Sequence, residues 1–99
     1  MDYTNKKVIV RCNRAGVFFG TLKEFDRENR IAVLGDCRRL WYWSGAASLS
    51  QLATEGVKYP KDCKFTVVIE EMSVMEVIEI IPCTDAAVKN IGEVKVWRS

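Results

Sequence analysis

The chain has 99 residues, of which 48% are hydrophobic and 28% are charged, and its formal net charge is +2. This length builds one domain around a single core, so residues 1–99 are treated as one unit. No apolar run reaches the roughly 18 residues of a membrane-spanning helix, and the opening MDYTNKKVIV lacks the apolar segment of a signal peptide. We therefore expect a cytoplasmic protein that does not contact a membrane.

The positive charge lies in the first half of the chain. Residues 1–43 hold nine Lys and Arg against five Asp and Glu, a net +4, whereas residues 44–99 hold six against eight, a net −2. A basic half would attract a phosphate-bearing ligand. An ordinary solvated surface with mild asymmetry is equally compatible with these numbers.

The cysteines argue against metal and nucleophile chemistry. Cys12, Cys37, Cys63 and Cys83 are far apart, and the chain has no histidine. Zinc sites use closely spaced Cys or His pairs, and Cys–His or Ser–His catalysis needs a histidine. We expect no metal, no cofactor and four free thiols in the core.

The first half predicts consecutive antiparallel strands. KKVIVRC (6–12) and VFFGTLKEF (17–25) alternate in hydrophobicity around a turn that ends at Gly16. A third strand is predicted over 30–43, interrupted near Gly35. A bulge at Gly35 would exchange the two faces of everything after it, and the sequence leaves both arrangements open.

Two short helices are predicted after this. Ser48 and Gln51 form a capping box, and Gly56 is placed to end the helix in a left-handed turn. Thr84 caps a second helix, which Gly92 follows.

The remaining strands are predicted over 64–71 and 74–81, with a short strand or tail over 93–97. The run VMEVIEII (74–81) is almost continuously apolar, which is typical of a central strand buried on both faces. A helix with two glutamates on one side is the alternative. The predicted fold is α+β: a strongly bent, mainly antiparallel sheet of about five strands, or a small barrel, with one or two short helices.

The stretch RRLWYWSGAASLSQLATEG (38–56) mixes cations and aromatic rings more densely than any other part of the chain. Two arginines are suited to bind phosphate through bidentate hydrogen bonds, and the aromatic rings are suited to stack on a base. The alternatives are arginines lying over the sheet and aromatics packed in the core or between subunits. The predicted ligand-binding residues are Arg11, Arg38, Arg39, Trp41, Tyr42, Trp43 and Ser44.

No catalytic residues are predicted. The only acidic clusters are Glu70–Glu71 and the pair Glu76 and Glu79, and they lie on or beside strongly apolar strands. General acid–base catalysis needs two carboxylates in a shared cleft. We therefore expect a protein that is not an enzyme.

Three segments, VIVRCNRAGVFFGTL, RRLWYWSGAASLSQLATEG and VIEIIPCTDAAVKNI, resemble a family of small phage-encoded and prophage-encoded proteins with no established activity. The most specific part is Arg39-x-Trp41-Tyr42-Trp43-Ser44-Gly45-Ala46, together with Glu79-Ile80-Ile81-Pro82. The resemblance implies a phage accessory role in the cytoplasm of the host cell and supplies no catalytic residues.

From these observations we expect a protein that sequesters a small nucleotide-derived ligand, a host immune signal, without catalysis. Its surplus of aromatic and hydrophobic residues predicts a homo-oligomer. One alternative is an inhibitor that docks on a host protein through its aromatic residues. The other is a single-stranded nucleic-acid binder, whose affinity would fall steeply with salt.

Overall fold

A computed structural model describes residues 2–99. The first three strands follow one another as an antiparallel meander: β1 (Lys7–Cys12), β2 (Gly16–Asp26) and β3 (Ile31–Tyr42). Gly16 ends the first turn with φ +104°. The side chain of Asp26 organises the second turn, because its carboxylate accepts a hydrogen bond from the main-chain N–H of Asn29 at 3.1 Å.

Three further strands complete an open sheet. Both β4 (Lys64–Phe65) and β5 (Ile69–Val74) pair with β3, and β6 (Val77–Pro82) pairs with β1 at the other edge. Only two residues connect β5 to β6, so the sheet must bend until its two edges approach each other. The predicted α+β fold with a strongly bent antiparallel sheet is confirmed. It has six strands, and because β5 and β6 do not pair, it is not a closed barrel.

The sixth strand arises because the predicted strand 64–71 is interrupted at Thr66. The Thr66 hydroxyl accepts a hydrogen bond from the main-chain N–H of Arg39 at 2.9 Å, and the Thr66 N–H donates to the Arg39 oxygen at 3.0 Å. A side-chain oxygen thus replaces a main-chain acceptor, which interrupts the regular pairing of this segment with β3 and separates β4 from β5.

The apolar run 74–81 forms a strand and not a helix, but it is not central. Val74 ends β5, and the turn that follows includes Glu76 at φ +57°. The rest of the run is edge strand β6, in which three of six residues are half-buried. The prediction of a central strand was wrong: this edge strand is as apolar as a central one because Ile80 packs against the core on one face of the sheet and Ile81 against the core on the other.

A bulge in β3 decides which side chains share a face. Thr21 lies opposite Gly35 and Phe19 opposite Arg38, so β3 contains one residue more than β2 over this interval. Asp36 takes up the extra residue at φ +45°. Cys37, and Arg39 two residues later, therefore share a face with Ala32 and Leu34.

Both faces of the sheet are covered. The concave face encloses an inner core, which contains Val8, Val10, Cys12, Phe18, Leu22, Ala32, Leu34, Cys37, Val74 and Val77. The convex face packs against the helices α1 (Leu49–Glu55) and α2 (Asp85–Gly92) and the segments beside them, and this outer core contains Ile9, Phe19, Leu40, Leu52, Ala53, Val57, Cys63, Phe65, Ala87, Ile91 and Val94. Three of the four cysteines are buried in these cores as predicted.

The helices begin where the sequence predicts. Ser48 Oγ accepts a hydrogen bond from Gln51 N at 3.1 Å, and Gln51 Oε1 accepts one from Ala47 N at 2.8 Å. Thr84 Oγ1 caps α2 and also donates to the main-chain oxygen of Thr54 at 2.6 Å, which joins the two helices. Neither helix has the length or apolar character that crossing a membrane requires within the residues described.

Candidate functional site

The two adjacent arginines of β3 point to opposite faces of the sheet. Arg38 lies on the convex face, is 3% exposed, and rests 5.5 Å from the centre of the Phe65 ring. Its guanidinium donates four hydrogen bonds to main-chain oxygens: Thr66 at 3.0 Å, Phe65 at 3.1 Å, Ile91 at 3.2 Å and Val94 at 3.0 Å. Burial lowers the pKa of Arg38. Its donors are engaged within the fold.

Arg39 lies on the concave face, with its guanidinium carbon 4.8 Å from the centre of the Phe18 ring. Its Nε is buried and has no hydrogen-bond partner. Within residues 2–99, no carboxylate oxygen lies within 4.0 Å of this guanidinium. The terminal nitrogens of Arg39 also lack a partner among these residues, and because they are not buried, an acceptor from outside can reach them.

A cavity of about 360 Å³ opens in front of Arg39. One wall is the β1–β2 turn with Arg14, and the other is the end of β5 and the β5–β6 turn, from Met72 to Glu76. The Nε of the exposed Arg14 lies 4.0 Å from a carboxylate oxygen of Glu76, the outer limit of an ion pair. We call this space the Arg39 pocket; it combines two guanidinium groups with an apolar wall, which suits a phosphate or carboxylate.

Trp41 follows Arg39 by two residues on the same strand and is 63% exposed. Its indole stacks on that of Trp97, with ring centroids 6.5 Å apart and planes 8° from parallel. The Lys64 ammonium lies 5.5 Å from the centre of the Trp97 ring. The main-chain N–H of Trp97 donates to the main-chain oxygen of Phe65 at 2.9 Å, which holds the C-terminal segment beside β4. We call Trp41, Trp97 and Lys64 the indole platform.

The remaining predicted site residues lie elsewhere. Tyr42 is exposed, and Trp43 packs against the outer core. The main-chain N–H of Ser44 donates a hydrogen bond to Cys63 Sγ at 3.4 Å. Arg11 forms an ion pair with Glu79 at 2.8 Å. Of the seven predicted residues, only Arg39 and Trp41 lie on the same face of β3 and can also be reached by a ligand from solvent.

The sequence analysis missed Arg14, Phe18, Lys64 and Trp97. In the sequence, Phe18 is typical of a core residue and Arg14 of a turn residue, so nothing near either residue indicates a ligand site. Trp97 is distant in sequence from Trp41, and only the pairing of the C-terminal segment with β4 brings them together. The feature that could have indicated Trp97 was its position in a C-terminal segment otherwise rich in charged residues.

Two thiols of the inner core share the concave face with Arg39. Burial raises the pKa of Cys37 to about 11, and it also raises the pKa of Cys12, whereas the positive charge of Arg39 acts in the opposite direction on both. Both thiols are therefore protonated at neutral pH and line the core as small apolar groups. Among residues 2–99, no three His, Cys, Asp or Glu side chains gather as they would to hold a metal ion.

A protein-family model matches most of the chain. The family model described as domain of unknown function (DUF6948) covers residues 5–91. The match includes Arg14, Arg39, Trp41 and Lys64, and it ends before Trp97. A search of curated proteins found no match to the chain.

Proposed function

We propose that this chain, which belongs to the DUF6948 family of domains of unknown function, binds a small nucleotide-derived ligand and holds it without chemical change. The observation that supports the proposal best is the Arg39 guanidinium at the edge of an open pocket, whose terminal nitrogens have no hydrogen-bond partner among the described residues and, unlike Nε, are not buried. A phosphate oxygen in the pocket would accept hydrogen bonds from these nitrogens.

The surroundings of Arg39 would strengthen such a bond. Phe18 is buried beneath the guanidinium, and Met72 lines the pocket beside it. Apolar neighbours exclude water, so the attraction between arginine and phosphate is larger there than on an open surface. Arg14 is free to turn from Glu76 toward a second phosphate oxygen, because its present contact is long and its side chain is exposed.

The indole platform supports the base-binding half of the proposal. Residues 39 and 41 are separated by about 6.6 Å along a strand, so Arg39 and Trp41 can serve two parts of one small molecule. Every nucleobase offers a flat π-face, and stacking on an aromatic side chain contributes roughly 1–3 kcal/mol per base. Lys64 beside Trp97 provides a second cation for a ligand with more than one phosphate.

The biological role in this proposal is sequestration. We assign the site no general acid, base or nucleophile, since the nearby thiols are protonated and Glu76 is one carboxylate in the pocket lining and not a pair. The resemblance to phage-encoded proteins favours a host immune signal as the ligand, captured in the host cytoplasm. A homo-oligomer remains part of the proposal, because the edge strands expose apolar side chains such as Ile69 and Ile78.

The test is calorimetric titration of the protein with cyclic di-adenylate, ADP-ribose and adenosine monophosphate. We expect at least one of them to bind and Arg39→Met to weaken it by about 10-fold to 100-fold, the loss of a charged hydrogen bond. Lys89→Met is the matched control, since it also removes one positive charge and Lys89 is exposed on α2, outside the Arg39 pocket. Equal affinity in the parent and the Arg39→Met variant would contradict the proposal.

Single-stranded nucleic acid is the second candidate, favoured by the near-parallel exposed indoles and the adjacent Lys64. A strand would stack successive bases along the platform and place phosphates on the cations. Titration with a labelled oligothymidylate at 50 and 200 mM salt separates the two candidates. Affinity that falls steeply with salt favours the strand, and a host-protein inhibitor would bind neither ligand.

A further inference from the structure

A second cavity, of about 590 Å³, lies between the N-terminal segment, the end of β2 and strand β6. Buried Leu22 and Val77 are among its apolar lining residues. Tyr3, Phe25 and Ile80 also line it; they are half-buried and pack against the inner core. The volume falls within the roughly 300–1,000 Å³ of small-molecule sites, and the lining suits an aromatic ring or a short acyl chain.

Arg27 and Arg30, both exposed in the β2–β3 turn, also line this cavity. Arg30 is anchored, because its main-chain oxygen accepts a hydrogen bond from the Val77 N–H at 3.0 Å and its φ is +55°. Within residues 2–99, no carboxylate oxygen lies within 4.0 Å of either guanidinium. Three carboxylates of the cavity and turn have other partners: Asp2 with Thr4, Asp26 with Asn29 and Glu79 with Arg11.

We infer that this cavity binds an amphipathic anion, with its apolar body against Tyr3 and Phe25 and its carboxylate, sulfate or phosphate on Arg27 and Arg30. The apolar lining contributes affinity through burial, and the two free arginines select for the negative head group. The site is separate from the Arg39 pocket, because the two share no lining residue. The inference therefore stands or falls independently of the proposed function.

The test uses two fluorescent probes that differ mainly in one charge. Anilinonaphthalene sulfonate carries a sulfonate, and N-phenyl-1-naphthylamine is its uncharged counterpart. We expect the sulfonate to bind the parent with one-to-one stoichiometry and more tightly than the neutral probe. Replacing both arginines, by Arg27→Met and Arg30→Asn, should weaken only the sulfonate, by about tenfold or more; asparagine is chosen because it tolerates the left-handed backbone.

Two further variants locate the probe. Phe25→Ala should weaken both probes, because it removes a wall of the cavity, and Arg39→Met should weaken neither. Displacement by decanoate or by naphthalene-1-sulfonate then distinguishes an acyl from an aryl ligand, and either result supports the inference. Thermal melts check that each variant is folded, and the single Arg27→Met variant replaces the double one if that does not fold.

The inference is overturned if the arginine variants bind the sulfonate as tightly as the parent does. It is also overturned if Arg39→Met weakens the sulfonate as much as the loss of Arg27 and Arg30, since the probe would then occupy the Arg39 pocket. Failure to bind any of the four probe compounds at millimolar concentration counts against it in the same way.

Discussion

The Arg38 guanidinium donates a hydrogen bond to the main-chain oxygen of Val94 at 3.0 Å and so joins β3 to the segment that follows α2. The same nitrogen reaches the Ile91 oxygen, and the other donors reach β4 and Thr66. One side chain thus satisfies carbonyls at the end of α2 and along β4. An arginine that the sequence suggests for ligand binding instead connects three parts of the fold.

We expect Arg38→Met to lower the free energy of unfolding by about 2–4 kcal/mol, because it removes four hydrogen bonds, among them those that the Thr66 and Val94 oxygens accept. Urea denaturation measures the change. Arg98→Met is the control: Arg98 is exposed near the C-terminus, and its loss should change stability by no more than about 0.5 kcal/mol. Similar values for the two variants would show that the Arg38 hydrogen bonds contribute little.

Gly56 should tolerate a side chain far less than Gly16 does. Both have positive φ, +80° and +104°, but a Cβ on Gly56 would collide with Asn90, whereas a Cβ on Gly16 would meet nothing within 4 Å. Asn90 is held in place by hydrogen bonds to Val57 N and O.

We therefore expect Gly16→Ala to cost about 1 kcal/mol, the backbone penalty alone, and Gly56→Ala to cost at least 1 kcal/mol more. Gly92→Ala, at ordinary φ with open space around it, is the neutral control. Thermal or urea unfolding of the three variants tests the order, which is contradicted if Gly56→Ala is no worse than Gly16→Ala.

Local features of this fold could be predicted from sequence. The Ser48 and Thr84 caps were found because a cap depends on residues within one turn of each other. The first three strands were found because alternation and turn residues are also local. The open edge between β5 and β6 was not, because it results from the pairing of β5 with β3 and of β6 with β1, and pairing between strands far apart in the chain leaves no mark on either one.

The candidate site was only partly predictable for a related reason. The bulge at Asp36 determines which of Arg38 and Arg39 faces the concave side, and the sequence allowed both arrangements. Trp97 joins the site through a single parallel bridge between Phe65 and Val96, a contact between segments far apart in the chain. The residue types indicated a site with a cation next to aromatic rings, but the pairing register of the strands determines which cation and which rings come together.

The buried thiol of Cys37 predicts a loss of stability at alkaline pH. Burial raises its pKa from 9.0 to about 11, so between these values the folded state holds a proton that the unfolded state has released. The free energy of unfolding should therefore fall as pH rises, by about 2 kcal/mol from this group between pH 8 and 11. Cys37→Ala should remove that part of the pH dependence.

The measurement is urea denaturation of the parent and the Cys37→Ala variant at several pH values with reductant present. The raised pKa values of Cys12 and Cys83 act in both proteins, so their contributions cancel in the difference. A difference in stability that stays constant from pH 8 to 11 would show that Cys37 does not titrate as its burial predicts.

Variants of Trp41 and Trp43 should separate stability from binding. Trp43 packs against the outer core, so Trp43→Ala should cost about 2–4 kcal/mol of unfolding free energy. Trp41 is mostly exposed, and Trp41→Ala should cost less than about 1 kcal/mol, the contribution of its stack on Trp97.

For binding, the order should reverse. In the proposed site a base stacks on Trp41, so Trp41→Ala should weaken the nucleotide that binds the parent by about 5-fold to 100-fold, equivalent to roughly 1–3 kcal/mol. Trp41→Phe, which keeps a ring, should restore most of this affinity, whereas folded Trp43→Ala should bind nearly as the parent does. Calorimetric titration beside urea denaturation gives both quantities for each variant. If Trp41→Ala binds like the parent and Trp43→Ala does not, the base-binding role belongs to another surface, and the indole platform is better explained as a contact for a protein partner.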